Sequence, residues 1–186
     1  MKIKRILHKI HVKTLCLLGL AVDISSTQHG PGAILSNFTE NHFVFDGVEC
    51  GGMEGFLQSL KHADTEKQIR VCALYGVRAK RKGSYHWKET QTVYWKGREI
   101  DRHGEEFQQL VKSAYQAMFE QCPKFRDALV ATGNKRLFHS MGKTAPRQTI
   151  LTEKDFCDHL TEQRPNSART AGLTHHPGVK KCRNGR

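Results

Sequence analysis

Apolar positions along the chain follow two rhythms, and the switches between them outline its elements. The clearest helical rhythm covers about 104–121, where Phe107, Leu110, Val111, Ala114, Tyr115 and Met118 recur at i, i+3, i+4 and i+7. Further helices are predicted over about 52–62 and about 64–75, the latter with Asp64 as its cap. Pro123 starts another that ends near Thr132-Gly133. "TEKDFCDHL" forms the last, with Thr152 and Asp155 placed as a capping pair. The two-residue rhythm marks strands. "VDISS" (22–26) opens the set, "HFVFDG" (42–47) runs into an Asp-Gly turn, and "TVYWKGREI" reads as strand-turn-strand. "QHGPG" and "GVRAKRKGSYHW" read as loops, the second strongly basic. Short strands among longer helices predict an α+β fold, a mainly helical single domain with a small sheet.

Charge changes this picture only at the ends. The 186-residue chain carries a net +12, but ten Lys and Arg residues lie in 1–21 and 165–186, which hold no acid. The stretch 22–164 is therefore left at +2, and it is taken as the folded domain. Residues 165–186, rich in Pro, Gly and basic side chains and lacking periodicity, read as a disordered tail. Residues 1–21 read as a basic leader, poorly structured or a short helix. Their basic start, short apolar run and small residues resemble a weak signal peptide, but the run is far too short to span a bilayer. Basic tails suit nonspecific contact with nucleic acid. The six cysteines form no CxxC pair and no Cys/His cluster at zinc spacing. This points to a reducing, cytoplasmic setting with no disulfide framework, no metal and no cofactor.

"GGMEGFLQSLK" (51–61) poses a sharper question. Met53, Leu57 and Leu60 form an apolar stripe, and Glu54, Gln58 and Lys61 repeat the same spacing about 100° further round the helix. Such a stripe is either a solvated face with an acid early and a lysine late, or the wall of a site.

Several stretches together carry a resemblance. "LSNF" (35–38), "FVFDG" (43–47), "MEGFLQSLK" (53–61) and "LYGVRAKRKGSYHW" (74–87), in this order and spacing, resemble the NADAR (NAD- and ADP-ribose-associated, YbiA-like) family. "VYWKGREIDR" and "HSMGK" with "TILTEKDF" are similar to its branch found in bacteriophages and bacteria. The resemblance implies an N-glycosidase, a hydrolase cleaving a ribose C1–N bond. The substrate it implies first is ADP-ribosylated guanine in nucleic acid, with release of ADP-ribose. A riboflavin-pathway phosphoribosylamino-pyrimidine intermediate, or non-catalytic binding of ADP-ribose or NAD derivatives, stands as the alternative. Partners are thus a modified nucleic acid or a nucleotide-like small molecule, and no membrane.

The resemblance also implies roles. Glu54 matches the family's key glutamate and would stabilise positive charge developing at C1 or position water. Lys61 matches its lysine, either as a nucleophile forming a Schiff base or as a phosphate ligand. Gln58 would bond ribose hydroxyls or orient Glu54. Asn37 and Phe38 would grip the sugar edge and stack the base, and Trp87 would stack on the leaving base. Arg78, Lys80, Arg81 and Lys82 are candidate diphosphate ligands, or a solvated basic loop. Trp95 is expected within the sheet and Asp46 in the turn. The sequence departs from many family members late in the chain, where "HSMGKTAPRQTILTEKDF" (139–156) replaces an acidic W-G-G segment. Asp101 or Arg102 could supply the missing polar groups, or form a surface turn.

Overall fold

The computed structural model describes residues 2–164, so the disordered tail expected at 165–186 lies outside the described residues. The N-terminal segment folds as a 16-residue helix, α1 (Lys2–Leu17). Val12 buries one side of α1 against Ala21 and Phe138, and His8 Nε2 lies 3.1 Å from Glu153 Oε1. A short strand β1 (Ala21–Asp23) and one turn of helix α2 (Pro31–Ile34) follow. The strand is thus shorter than the 22–26 expected from its side-chain pattern.

Asp46 and Gly47 sit at φ 49° and 76°, the left-handed conformations that suit a two-residue hairpin turn. They join β2 (Phe43–Phe45) to β3 (Val48–Cys50), which pair antiparallel. Next come α3 (Met53–Ser59) and α4 (Thr65–Cys72). Asp64 caps α4 by accepting from the Lys67 backbone N–H. The basic stretch expected as a loop instead forms a one-turn helix, α5 (Gly76–Lys80), because Ala79 gives it a buried side. Another turn, α6 (Trp87–Thr90), starts at the buried tryptophan.

The hairpin β4 (Thr92–Trp95) and β5 (Arg98–Asp101) leads to the long helix α7 (Glu105–Gln121) and then to α8 (Pro123–Ala131). Strand β6 (Arg136–Phe138), which the pattern did not reveal, pairs parallel with β1. The described residues end with a 3-10 turn at Pro146–Gln148 and α9 (Glu153–Gln163), whose Thr152 and Asp155 form the expected capping box.

The fold is α+β and mainly helical. The strands of the described residues form three separate two-stranded pairs in place of one small sheet. One apolar core draws residues from Ile24 to Leu160, with α7 contributing Phe107, Val111, Ala114, Tyr115 and Met118. Trp95 packs there beside Phe45 and Phe56, and its indole N–H donates to Asp46 at 3.0 Å. Gln68 is a buried polar node. Its amide donates to Tyr94 O at 2.7 Å and its carbonyl accepts from Lys96 N at 2.9 Å, joining α4 to the β4–β5 hairpin. All five described cysteines are free thiols; those of Cys50 and Cys72 touch at 3.2 Å in the core. Among the described residues no helix is long and apolar enough to cross a membrane.

Candidate active site

Every residue of α3 is buried, which decides the question raised by its polar stripe. Glu54 is only 4% exposed and Gln58 1%. These side chains form a wall inside the protein. They are also linked in series: Lys61 Nζ donates to Gln58 Oε1 at 2.7 Å, and Gln58 Nε2 donates to Glu54 Oε1 at 2.7 Å. The i, i+4 spacing stacks Glu54 and Gln58 on one face of α3, and Lys61, in the turn just past its end, continues the line.

The wall borders a cavity of about 290 Å³. Asn37, Phe38, Glu54, Gln58, Lys61 and Trp87, six of the eight residues proposed for the site, line it together. Asn37 is tied twice. Its backbone carbonyl accepts from Glu54 N at 3.0 Å, and its side-chain Oδ1 accepts from Tyr115 OH at 2.8 Å. Burial raises the Tyr115 phenol well above its usual range, so it remains a hydrogen-bond donor. The Asn37 side-chain NH₂ has no protein acceptor among the described residues and is available to a ligand.

Asp101 and Arg102 do not line the cavity, contrary to the expectation that they replace missing polar groups. Asp101 is exposed at the end of β5, where its Oδ1 accepts from His103 N at 2.9 Å. Arg102 is buried at 2% exposure, pairs with Asp155 Oδ2 at 3.0 Å and lies over the Phe107 ring. It joins the β4–β5 hairpin to α9. Of the four basic candidates at 78–82, only Lys80 reaches the cavity. Its Nζ lies 3.2 Å from Glu54 Oε1, and it sits over the Phe38 ring at 6.0 Å.

The stretch between α5 and α6 closes over Gln58. A Cβ at Gly83 would collide with Gln58 Oε1, so a larger residue there would push the Gln58 amide from its place between Glu54 and Lys61. The His62 ring holds the stretch in place through its contact with Lys82 O at 2.7 Å.

Four lysines converge here, and Lys61 registers their field. Burial, followed by the charge of Lys80, pushes the Lys61 ammonium down to about 8. Glu54 acts in the opposite direction, and Lys88 and Lys143 add to the lowering. Lys61 Nζ also lies 5.4 Å from the centre of the Trp87 ring, within cation–π range. Trp87 is 2% exposed, and its indole N–H has no partner among the described residues.

Sequence reasoning missed much of the cavity's remaining lining. His139, Met141, Gly142, Lys143 and residues 148–152 all contribute. They belong to the very segment that departs from the common family pattern. Tyr85, 78% exposed, stands at the same cavity. Among the described residues no group of three His, Cys, Asp or Glu side chains is placed to hold a metal ion.

Residues 30–165 match the family described as bacteriophage protein GP30.3. A similar protein is the uncharacterized 17.1 kDa protein of the Gp30-rIII intergenic region in Enterobacteria phage T4. It is 37% identical over 142 residues, covering 75% of this chain and 93% of that protein. In fold, the chain is similar to the NMR structure of the E. coli protein YbiA. The TM-score is 0.53 at 16% identity, over 86% of this chain and 93% of that one.

Proposed function

Because the chain belongs to the bacteriophage GP30.3 family, a NADAR-type family, we propose that it is an N-glycosidase hydrolysing a ribose C1–N bond, with ADP-ribosylated guanine as substrate and ADP-ribose as product. One observation carries the reading. Glu54 is buried in a cavity, and the Gln58 hydrogen bond and the Lys80 ion pair both hold the same oxygen, Oε1. Oε2 makes no protein hydrogen bond among the described residues. A carboxylate fixed at one oxygen presents the other to the cationic ribose carbon as the C1–N bond breaks.

Lys61 supports the same chemistry. An amine brought down to about 8 is neutral in part near physiological pH, and a neutral amine can bond to C1. Sugar-ring opening would then give a Schiff base, which water hydrolyses. Lys80, Lys88 and Lys143 suit the phosphates of an ADP-ribosyl group, and the exposed Tyr85 ring offers a base a stacking surface. Basic residues at both ends of the chain suit a nucleic-acid partner.

The small volume favours a second reading. About 290 Å³ matches the lower end of small-molecule sites and suits a phosphoribosylamino-pyrimidine, the riboflavin-pathway alternative. Mass spectrometry separates the two. Wild-type protein is expected to release free ADP-ribose from a guanine-modified oligonucleotide, and Glu54→Gln to release none. Turnover of the pyrimidine alone would select the second substrate, and binding of ADP-ribose without turnover of either would leave a sensor module.

A further inference from the structure

We infer that His139 is the general acid that protonates the departing nitrogen when the C1–N bond breaks, an inference that rests on the N-glycosidase reading. His139 follows β6 directly and lines the same cavity as Glu54 and Lys61. Its Nδ1 lies 2.6 Å from the backbone carbonyl of Ile24, just past β1. A carbonyl oxygen only accepts, so Nδ1 carries a hydrogen and donates it. This assigns the neutral tautomer and leaves Nε2 as the nitrogen that gains and loses a proton. Nε2 has no hydrogen-bond partner among the described residues.

The ring is held on several sides. Phe156 of α9 meets it edge to face, with centroids 5.3 Å apart. The backbone N–H of His139 donates to Glu153 Oε1 at 3.3 Å. Gly142 turns back against the ring edge, where a Cβ would come within 2.7 Å of Cδ2. The parallel pairing of β1 with β6 brings Ile24 to His139 across 115 residues. Since the Nδ1–H bond to Ile24 persists in both protonation states, Nε2 can pass a proton without the ring turning. One ring nitrogen is thus anchored to the backbone while the residue itself forms part of the cavity wall.

The step balances as follows. The C1–N electron pair goes to the departing nitrogen, which takes the proton from Nε2–H of the imidazolium. The group that bonds to C1, water or the Lys61 amine, gives up a proton to Glu54. On the Lys61 route, ring opening gives a Schiff base, and water adds to C1 and displaces the amine, releasing the sugar; Glu54 and His139 then return to their starting states by exchanging protons with solvent.

The test uses full-length His139→Ala and His139→Gln beside wild type, on whichever N-ribosyl substrate the wild type cleaves. Loss of a general acid is expected to lower kcat by about 100-fold or more. Added imidazole is expected to restore part of the His139→Ala rate, in proportion to its concentration, and to leave Glu54→Gln unchanged. Thermal melting confirms that the variants are folded, and His139→Gln serves if His139→Ala is not. Retention of kcat within about threefold of wild type, far less than general-acid loss implies, would overturn the inference. So would a lowered rate in folded His139→Ala that imidazole leaves unmoved. A wild type that cleaves no N-ribosyl substrate would overturn the N-glycosidase reading itself, and the role of His139 with it.

Discussion

Lys80 reaches Glu54 at Oε1, the oxygen already bonded by Gln58, so both contacts to this carboxylate fall on one oxygen. The pair is unequal. The Lys80 side chain is 56% exposed and that of Glu54 6%, so solvent screens the lysine while the carboxylate depends on its protein partners.

Glu54→Gln is expected to lower kcat by about 1,000-fold, the scale for removing an electrostatic contact made in the transition state. Its effect on melting temperature is expected to be small, because the amide keeps the volume and removes a buried charge. Steady-state rates and a thermal melt on the same preparation check both parts.

Lys61 makes stability and activity depend on pH. Its value falls from 10.5 to about 8 on folding, so between these pH values the unfolded chain binds the extra proton. Stability from this group therefore rises with pH across that window. Below about 8 both states are protonated and the burial cost is fully present. Lys61→Met is thus expected to stabilise the protein most at pH 7, by on the order of 2 kcal/mol, with the gain shrinking by pH 10. Denaturant melts of both proteins at the two pH values measure the difference. If the free amine attacks C1 while His139 gives up a proton, wild-type kcat/KM follows a bell-shaped pH profile, in which the free-amine requirement is set by Lys61 at about 8.

Trp87→Ala is expected to cost about 3–5 kcal/mol, the scale for emptying a buried tryptophan site. Trp87→Phe keeps most of the packing but weakens the ring beneath Lys61 Nζ. It is expected to fold and to lose activity. Chemical denaturation and kcat for the two variants separate the packing role from the site role.

Arg102→Ala is expected to lower stability by about 3 kcal/mol by breaking a largely buried ion pair. Its kcat at a temperature where it is folded is expected to match wild type, because Arg102 lies outside the cavity lining. A melt and a rate assay at low temperature test this.

Legibility in the sequence followed the range of the interaction. Asp64 and the Thr152–Asp155 box act within one helical turn, and the Asp46-Gly47 hairpin closes through adjacent residues. All three were readable from local chemistry. The site was readable in part. Family resemblance pointed to Asn37, Phe38 and Trp87, but it also suggested Asp101 and Arg102, which the fold directs to a surface turn and a buried brace.

By itself, the order of residues determined that Glu54 and Gln58 share one face of a helix, with Lys61 following just past its end, because helical pitch sets that angle whatever surrounds it. Only the tertiary structure decided that this face is turned inward to a cavity, that Lys80 turns back to it from another helix, and that His139 borders the same cavity. Periodicity states where a side chain points along its own element. What it meets there depends on contacts between distant segments, and those contacts shield from bulk solvent a stripe that would otherwise be an ordinary charged surface.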